Sequence, residues 1–292
     1  MAIAVRVDDG GIWLNDVSNG FVVRLDAVGE MDHTVGRRGG GPGEFQAARD
    51  VEFGTAGRLL VLDPGNARIS YIDPDGTLRR QVSIPGEIGH AEQFSPLADG
   101  GFLLVTMRPD SPLVKLDSSG RLVWRRALPW GGYARLQSLA AQGHTAVSRD
   151  LRYAAYGMTF GEMFFVFVDG EPMPAGVSYV EVIKAPNLMP RVVNGDTTYM
   201  MPLMPMAGAD LAIHDDKLFV LFGGRTSERQ RLVDVYRLPD GEYTHSLLLP
   251  RRVSRFTVHE GSLYVMFSDP HICLQRLRPI APFDSLLTAR RE

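Results

Sequence analysis

Hydrophobic positions along the chain fall in short runs, each opened by a turn. The runs are Asp9-Gly-Gly-Ile-Trp-Leu14, Gly57-Arg-Leu-Leu-Val-Leu62, Gly100-Gly-Phe-Leu-Leu-Val105, Gly143-His-Thr-Ala-Val147, Asp216-Lys-Leu-Phe-Val-Leu221 and Gly261-Ser-Leu-Tyr-Val-Met266. Their turn residues Gly10, Gly57, Gly100, Gly143, Asp216 and Gly261 lie 47, 43, 43, 73 and 45 residues apart. Alternation of the strand type begins at Ile3, Val5 and Val7, and helical periodicity is nearly absent. A second set of turns runs out of phase with the first: Leu25-Asp-Ala-Val-Gly29, Ile72-Asp-Pro-Asp-Gly76, Leu116-Asp-Ser-Ser-Gly120, Val168-Asp-Gly170 and Leu238-Pro-Asp-Gly241. Asp-Gly and Asp-x-x-Gly between apolar runs are hairpin signals, because glycine supplies the positive φ that the turn demands.

Each unit therefore predicts four strands, A to D, with tight A–B and C–D turns. Radial repetition of such units at this period is the signature of a β-propeller. The six copies predict an all-β chain, a six-bladed β-propeller of four-stranded antiparallel blades. One propeller domain is expected over residues 1–282, with a tail at 283–292. The 73-residue spacing calls for a D–A insertion at about 185–207, with a hidden seventh blade as the alternative. The last blade departs from the pattern: after Ile272-Cys-Leu-Gln-Arg-Leu277, Pro279-Ile-Ala-Pro282 stands where an Asp-Gly hairpin should. Blade six is thus expected to lack its closing strand, to borrow it from the tail, or to have lost it upstream.

One stretch is more specific than the period. Gly36-Arg-Arg-Gly-Gly-Gly-Pro-Gly-Glu-Phe45, Gly57-Arg-Leu-Leu-Val-Leu-Asp63, Asn66-Ala-Arg-Ile69 and Asp73-Pro-Asp-Gly76 together resemble an NHL repeat. The match is close in the second blade, and the other blades keep the turns while losing the Asn-x-Arg signature. The resemblance implies a six-bladed propeller of a kind that serves as a protein, RNA or ligand platform in some members and as a lyase or hydrolase in others. Calcium-dependent lactonase-type propellers hold a metal at the channel through Glu, Asn and Asp. Glu92, Asp210, Asn66 and Asp63 are the oxygens that this comparison would recruit, although their strand positions disagree.

Composition narrows the function classes. Lys+Arg total 31 against 34 Asp+Glu, a formal charge of −3, which argues against a nucleic-acid binder. No apolar run approaches the roughly 18 residues that span a bilayer as a helix. A single cysteine, Cys273, leaves no intrachain disulfide and no Cys-cluster metal site. The N-terminus shows no secretory signal, so the location stays open between the cytoplasm and export of a chain whose start has been trimmed.

The basic residues are uneven: only Lys115, Lys184 and Lys217 are lysine, and the other 28 are arginine. In the predicted topology the long D–A and B–C connections share one face, where function usually resides. Arg49, Arg68, Arg108, Arg135, Arg149, Arg225 and Arg255 map to those loops, with Arg49 and Arg135 at equivalent positions near the channel. Arginine there forks onto a carboxylate, sulfate or phosphate through paired hydrogen bonds. The acidic tight turns gather on the other face, so the molecule is expected to be polarised. The insertion carries five of the twelve methionines, among them Met201 and Met204, and reads as an apolar lid over the channel mouth.

Catalytic constellations are sparse. His271, after a B–C turn, and His90 with Glu92 are the acid–base candidates, while His214 and His259 fall at the solvated turn end of strand A. No nucleophile elbow, phosphate loop or dinucleotide fingerprint is present. The expected function is a binding module, monomeric and without a cofactor, that takes an anionic or amphipathic small molecule or a protein segment. The alternative is a hydrolase or lyase assisted by calcium or zinc at the channel mouth.

Overall fold

A computed structural model of the chain describes residues 3–5, 11–108, 111–127, 142–161, 163–173, 176–183, 189–200, 206–225, 228–267 and 271–278, with backbone alone at 3–5, 196 and 198–200. Its sheets form six blades in chain order, with one separate hairpin. Strand A of each blade lies innermost: Ile3–Val5, Asp50–Phe53, Ala91–Pro96, Gly143–Val147, Gly208–His214 and Arg255–His259. These strands contact one another around the ring, and Ile3–Val5 sits between the A strands of blades six and two. Blades one, two, three and five have four strands. Blade four adds a short segment, Val177–Ser178, beside its fourth strand. Among the described residues blade six has three strands, and the tail lies outside them.

Apolar runs become central strands because both their faces are covered. Leu59–Asp63 and Phe102–Thr106 are buried at every position. The cores lie between blades. Trp13, Val22, Phe45 and Val61 join blades one and two, for example, and Phe219, Val235, Phe256 and Val265 join blades five and six. The seam between blades six and one is thinner, with Ile12 and Tyr264 as its fully buried apolar members among the described residues. The third strand of blade six, Cys273–Leu277, has no buried residue, whereas third strands in blades two to five are largely buried.

Two expectations change. The repeat at Gly143 is not an A–B turn, because Gly143 opens strand A of blade four and pairs with Met158. Glycine is required there by packing: an added Cβ would lie 2.3 Å from the carbonyl oxygen of Gly157 and from the Tyr156 ring. The true turn carries Leu151, at φ 61, whose side chain is buried. A leucine in this conformation gives no turn signal, so the period slips by several residues. The 73-residue spacing divides accordingly, and its long segment contains a hairpin, Met189–Val193 with Asp196–Met200, rather than a further blade. That hairpin turns at Asn194-Gly195, both at positive φ, the sequence pair that best signals such a turn.

Candidate functional site along the propeller axis

A row of equivalent polar side chains crosses the channel wall on the A strands of blades two to six. Asp50 Oδ2 accepts the backbone N–H of Phe94 at 3.2 Å, Gln93 Oε1 that of Thr145 at 2.5 Å, and Asp210 Oδ2 that of Phe256 at 2.8 Å. Because Phe94, Thr145 and Phe256 follow Gln93, His144 and Arg255, these bonds place Asp50, Gln93, His144, Asp210 and Arg255 at one position on successive A strands. Blades two, three and five each reach to the next through a polar side chain at this level. Polar groups are tolerated here because the bonds satisfy them.

The bonds also fix protonation. With its oxygen on Thr145, the Gln93 amide presents Nε2 to His144 Nδ1 at 3.0 Å. The amide nitrogen donates, so Nδ1 holds a lone pair and the imidazole is neutral with its proton on Nε2. Burial, together with the positive charges of Arg255 and Arg49, depresses the His144 pKa to about 3. Asp210 Oδ1 lies 3.8 Å from the same Nδ1. Burial raises Asp210 to about 6, against the opposing pull of Arg255. Burial likewise raises Asp50 to about 7, with Asp210 adding to it. Two residues deeper on the same strand, and so on the same face, Glu52 is pushed up by burial and by both aspartates. Arg255 donates from Nη1 to the carbonyls of Ser254 and Ala209, at 3.0 and 3.2 Å.

Two concavities flank this level of the channel, with Asp50, Gln93 and Arg255 lining both. On the loop face a depression of about 290 Å³ is lined by Arg49, Glu92, His144, Thr159, Met206 and Arg255, among others. Arg49 is ion-paired with Glu92, whose other oxygen lies 3.4 Å from His90 Nε2. On the turn face a larger cavity of about 710 Å³ reaches up to Asp50, Glu52 and Asp210, and Arg149, His214 and His259 stand at its rim.

The arginines expected at the mouth divide by position. Arg49 and Arg255 are there. Arg68 is occupied by the loop before blade two, donating to the carbonyls of Gly41 and Glu44 at 2.7 and 2.6 Å and to Gly40 at 3.3 Å. Arg108 donates to the Glu87 carbonyl at 3.1 Å, and Arg225 is exposed; neither lines the depression. Arg149 lies on the A–B turn of blade four and therefore on the opposite face, a consequence of the slipped period. Arg135, Met201 and Met204 lie outside the described residues. His271 is exposed and away from the depression, whereas His90 and Glu92 meet as expected.

Asp63 and Asn66, which the lactonase comparison would recruit, are spent on the same loop as Arg68. Asp63, fully buried, accepts the N–H groups of Gln46 and Ala47 at 3.2 and 2.9 Å, and Asn66 Nδ2 donates to Asp63 and to the Gly39 carbonyl at 2.6 and 2.8 Å. The NHL-like motif is therefore a structural clamp, closed by Phe45 in the core. Among the described residues, no three His, Cys, Asp or Glu side chains come together as a metal-ligating group. Asp50 and Asp210 each accept a backbone N–H bond instead.

The expected polarisation does not hold either. Turn-face carboxylates have arginines beside them: Asp73 bonds Arg79 and Arg58, and Asp240 bonds Arg237. Arg79, then Arg58, hold Asp73 below the usual carboxylate range, and Arg237 does so for Asp240. Asp50, Glu52, Gln93 and His144 escaped the sequence reading as site residues. Their shared signal, a polar residue at one level of the A strands of blades two to six, emerges only with blade four in its true register.

No family model matches the chain, and no curated protein matches it. Solved structures do. A streptogramin B lyase shares 13% identity, covering 91% of this chain and 75% of that one, at a TM-score of 0.54. Virginiamycin B lyase from Staphylococcus aureus shares 10%, covering 90% of each chain, at 0.52. Regucalcin from Agrobacterium tumefaciens, a calcium-binding protein, shares 10%, covering 92% and 82%, at 0.57. At these identities the likeness establishes the six-bladed propeller and nothing finer.

Proposed function

We propose that this propeller, a distant relative of NHL-type platforms, binds a small ligand with an anionic group in the loop-face depression. The observation that carries this reading is the presence of Arg49 and Arg255 in the wall of one concavity of about 290 Å³. That volume is near the lower end for small-molecule sites. Arg49 is partly exposed, and its partner Glu92 is a side chain that an incoming carboxylate, sulfate or phosphate can replace. Neutral His144, with its proton on Nε2, adds a donor without adding charge.

The test is calorimetric binding against a panel of small anions and their neutral amides. Arg49→Ala and Arg255→Met should each weaken an anionic hit at least tenfold, while Arg225→Ala, on the same face but outside the depression, leaves it unchanged. Anion affinity indifferent to both Arg49 and Arg255 would refute the reading.

A second reading, a hydrolase or lyase at the same mouth, is favoured by the His90–Glu92 contact of 3.4 Å beside the depression. An imidazole on a carboxylate is a serviceable acid–base pair. On this reading Glu92→Gln abolishes turnover of a bound ligand but preserves its binding.

A further inference from the structure

The side chains that line the loop-face depression are sorted around the axis. Arg255 comes from blade six and Arg49 from blade two, with Val17 of blade one between them. Across the depression, blades three, four and five supply Met107, Phe160 and Met206, all half-buried. The A strands of six, one and two are neighbours around the channel, and so are those of three, four and five, so these are opposite halves of one wall. Among the described lining residues of the second half Glu92 alone is charged, and it reaches back to Arg49. His144 lines this depression but not the turn-face cavity, and its Nε2–H forms no hydrogen bond with the described residues.

Charge and volume limit the guest. Arg49 and Arg255 face Glu92 and Asp50, so the lining is neutral when Asp50 is ionised and singly positive when it is protonated. Burial raises Asp50 to about 7, which places neutral pH between those two states. A monoanion matches such a wall, and a dianion does not. About 290 Å³ is room for a body of about ten non-hydrogen atoms, taking ~30 Å³ for each as for liquid water.

We propose that the depression selects a monocarboxylate with an apolar body, its carboxylate on Arg49, Arg255 and the His144 Nε2–H and its body against Met107, Phe160 and Met206. The proposal rests on the anion-binding reading above and names which anion. Glu92 shows the group that Arg49 accepts, so a carboxylate guest exchanges with it one for one. Methionine and phenylalanine on the far side offer an adaptable apolar surface and no charge, which suits a hydrocarbon body and wastes a second anionic group.

Five probes decide the matter: phenylacetate, acetate, phenylacetamide, benzenesulfonate and inorganic phosphate, titrated by ligand-observed NMR and calorimetry. Phenylacetate should bind at least tenfold tighter than each of the others. Met107→Gln and Met206→Gln, which keep side-chain length and remove apolar surface, should each weaken phenylacetate at least fivefold and leave acetate within twofold. A thermal melt of each variant shows that it is folded, and the wild-type series stands without them. Phenylacetate no tighter than acetate, with both lost on Arg49→Ala, would overturn the proposal and leave the anion-binding reading in place. Phosphate or benzenesulfonate binding tighter than phenylacetate would do the same. Phenylacetamide binding as tightly as phenylacetate would overturn both, as would no binding by any of the five.

Discussion

Asp210→Asn isolates one member of the axial row. The carboxyl group is 8% exposed and accepts the Phe256 N–H at 2.8 Å. Asparagine keeps an oxygen for that bond and removes the capacity to ionise. Burial raises the Asp210 pKa from 3.8 to about 6. At 1.36 kcal/mol for each factor of ten in proton affinity, ionising it in the folded state costs about 3 kcal/mol. The sign follows from linkage. Between these two pKa values the folded protein holds a proton that the unfolded chain has lost, so stability falls as pH rises. The full contribution is present below 3.8 and is gone above about 6. Asp50 acts in the same direction in both proteins. Urea unfolding from pH 4 to pH 8 should therefore show the variant gaining on the wild type by about 3 kcal/mol, most of it before pH 7. In melting temperature this is about 6–12 °C at pH 8, at the ~2–4 °C per kcal/mol of large domains. A difference constant with pH to within about 0.5 kcal/mol, the usual scatter of such comparisons, would refute the reasoning. So would a variant that loses ground as pH rises.

Other consequences can be checked alongside. Gly143→Ala should cost about 1–3 kcal/mol through overpacking against Tyr156 and the Gly157 carbonyl, read by chemical denaturation; a neutral substitution would contradict the strand register. Arg68→Ala removes the charge-assisted bonds to Gly41 and Glu44 and should cost about 2–4 kcal/mol, exposing the 36–45 loop to proteolysis while leaving anion affinity at the mouth intact. Native-state hydrogen exchange should find the lowest protection at the seam of blades six and one, where Ile12 and Tyr264 are the buried apolar pair, and the highest in blades two to five. Uniform protection around the ring would contradict a weak seam.

The axial carboxylates also bear on why the row persists. An aspartate that costs stability at neutral pH is the kind of residue a fold retains for binding or chemistry rather than for rigidity. Asp50, Glu52 and Asp210 all share that property, and all line the turn-face cavity.

Local sequence determined the architecture. Short apolar runs between Asp-Gly turns can bury both faces only by stacking against copies of themselves, which makes the propeller legible from spacing alone. It also marked the loop at 36–45 and brought His90 and Glu92 together, since they are neighbours on one strand entry. The site was not legible, because it is built across blades from residues more than forty positions apart. Asp50, Gln93, His144, Asp210 and Arg255 converge only when the A strands are in register, and Leu151, a turn residue without a turn signal, hid that register. The same slip put Arg149 on the wrong face. Which charges were free was equally a tertiary matter. Arg68, Asp63 and Asn66 look like ligands in the sequence, but packing turns them on a backbone that would otherwise be left unsatisfied, and Glu52 is the carboxylate left facing the bore.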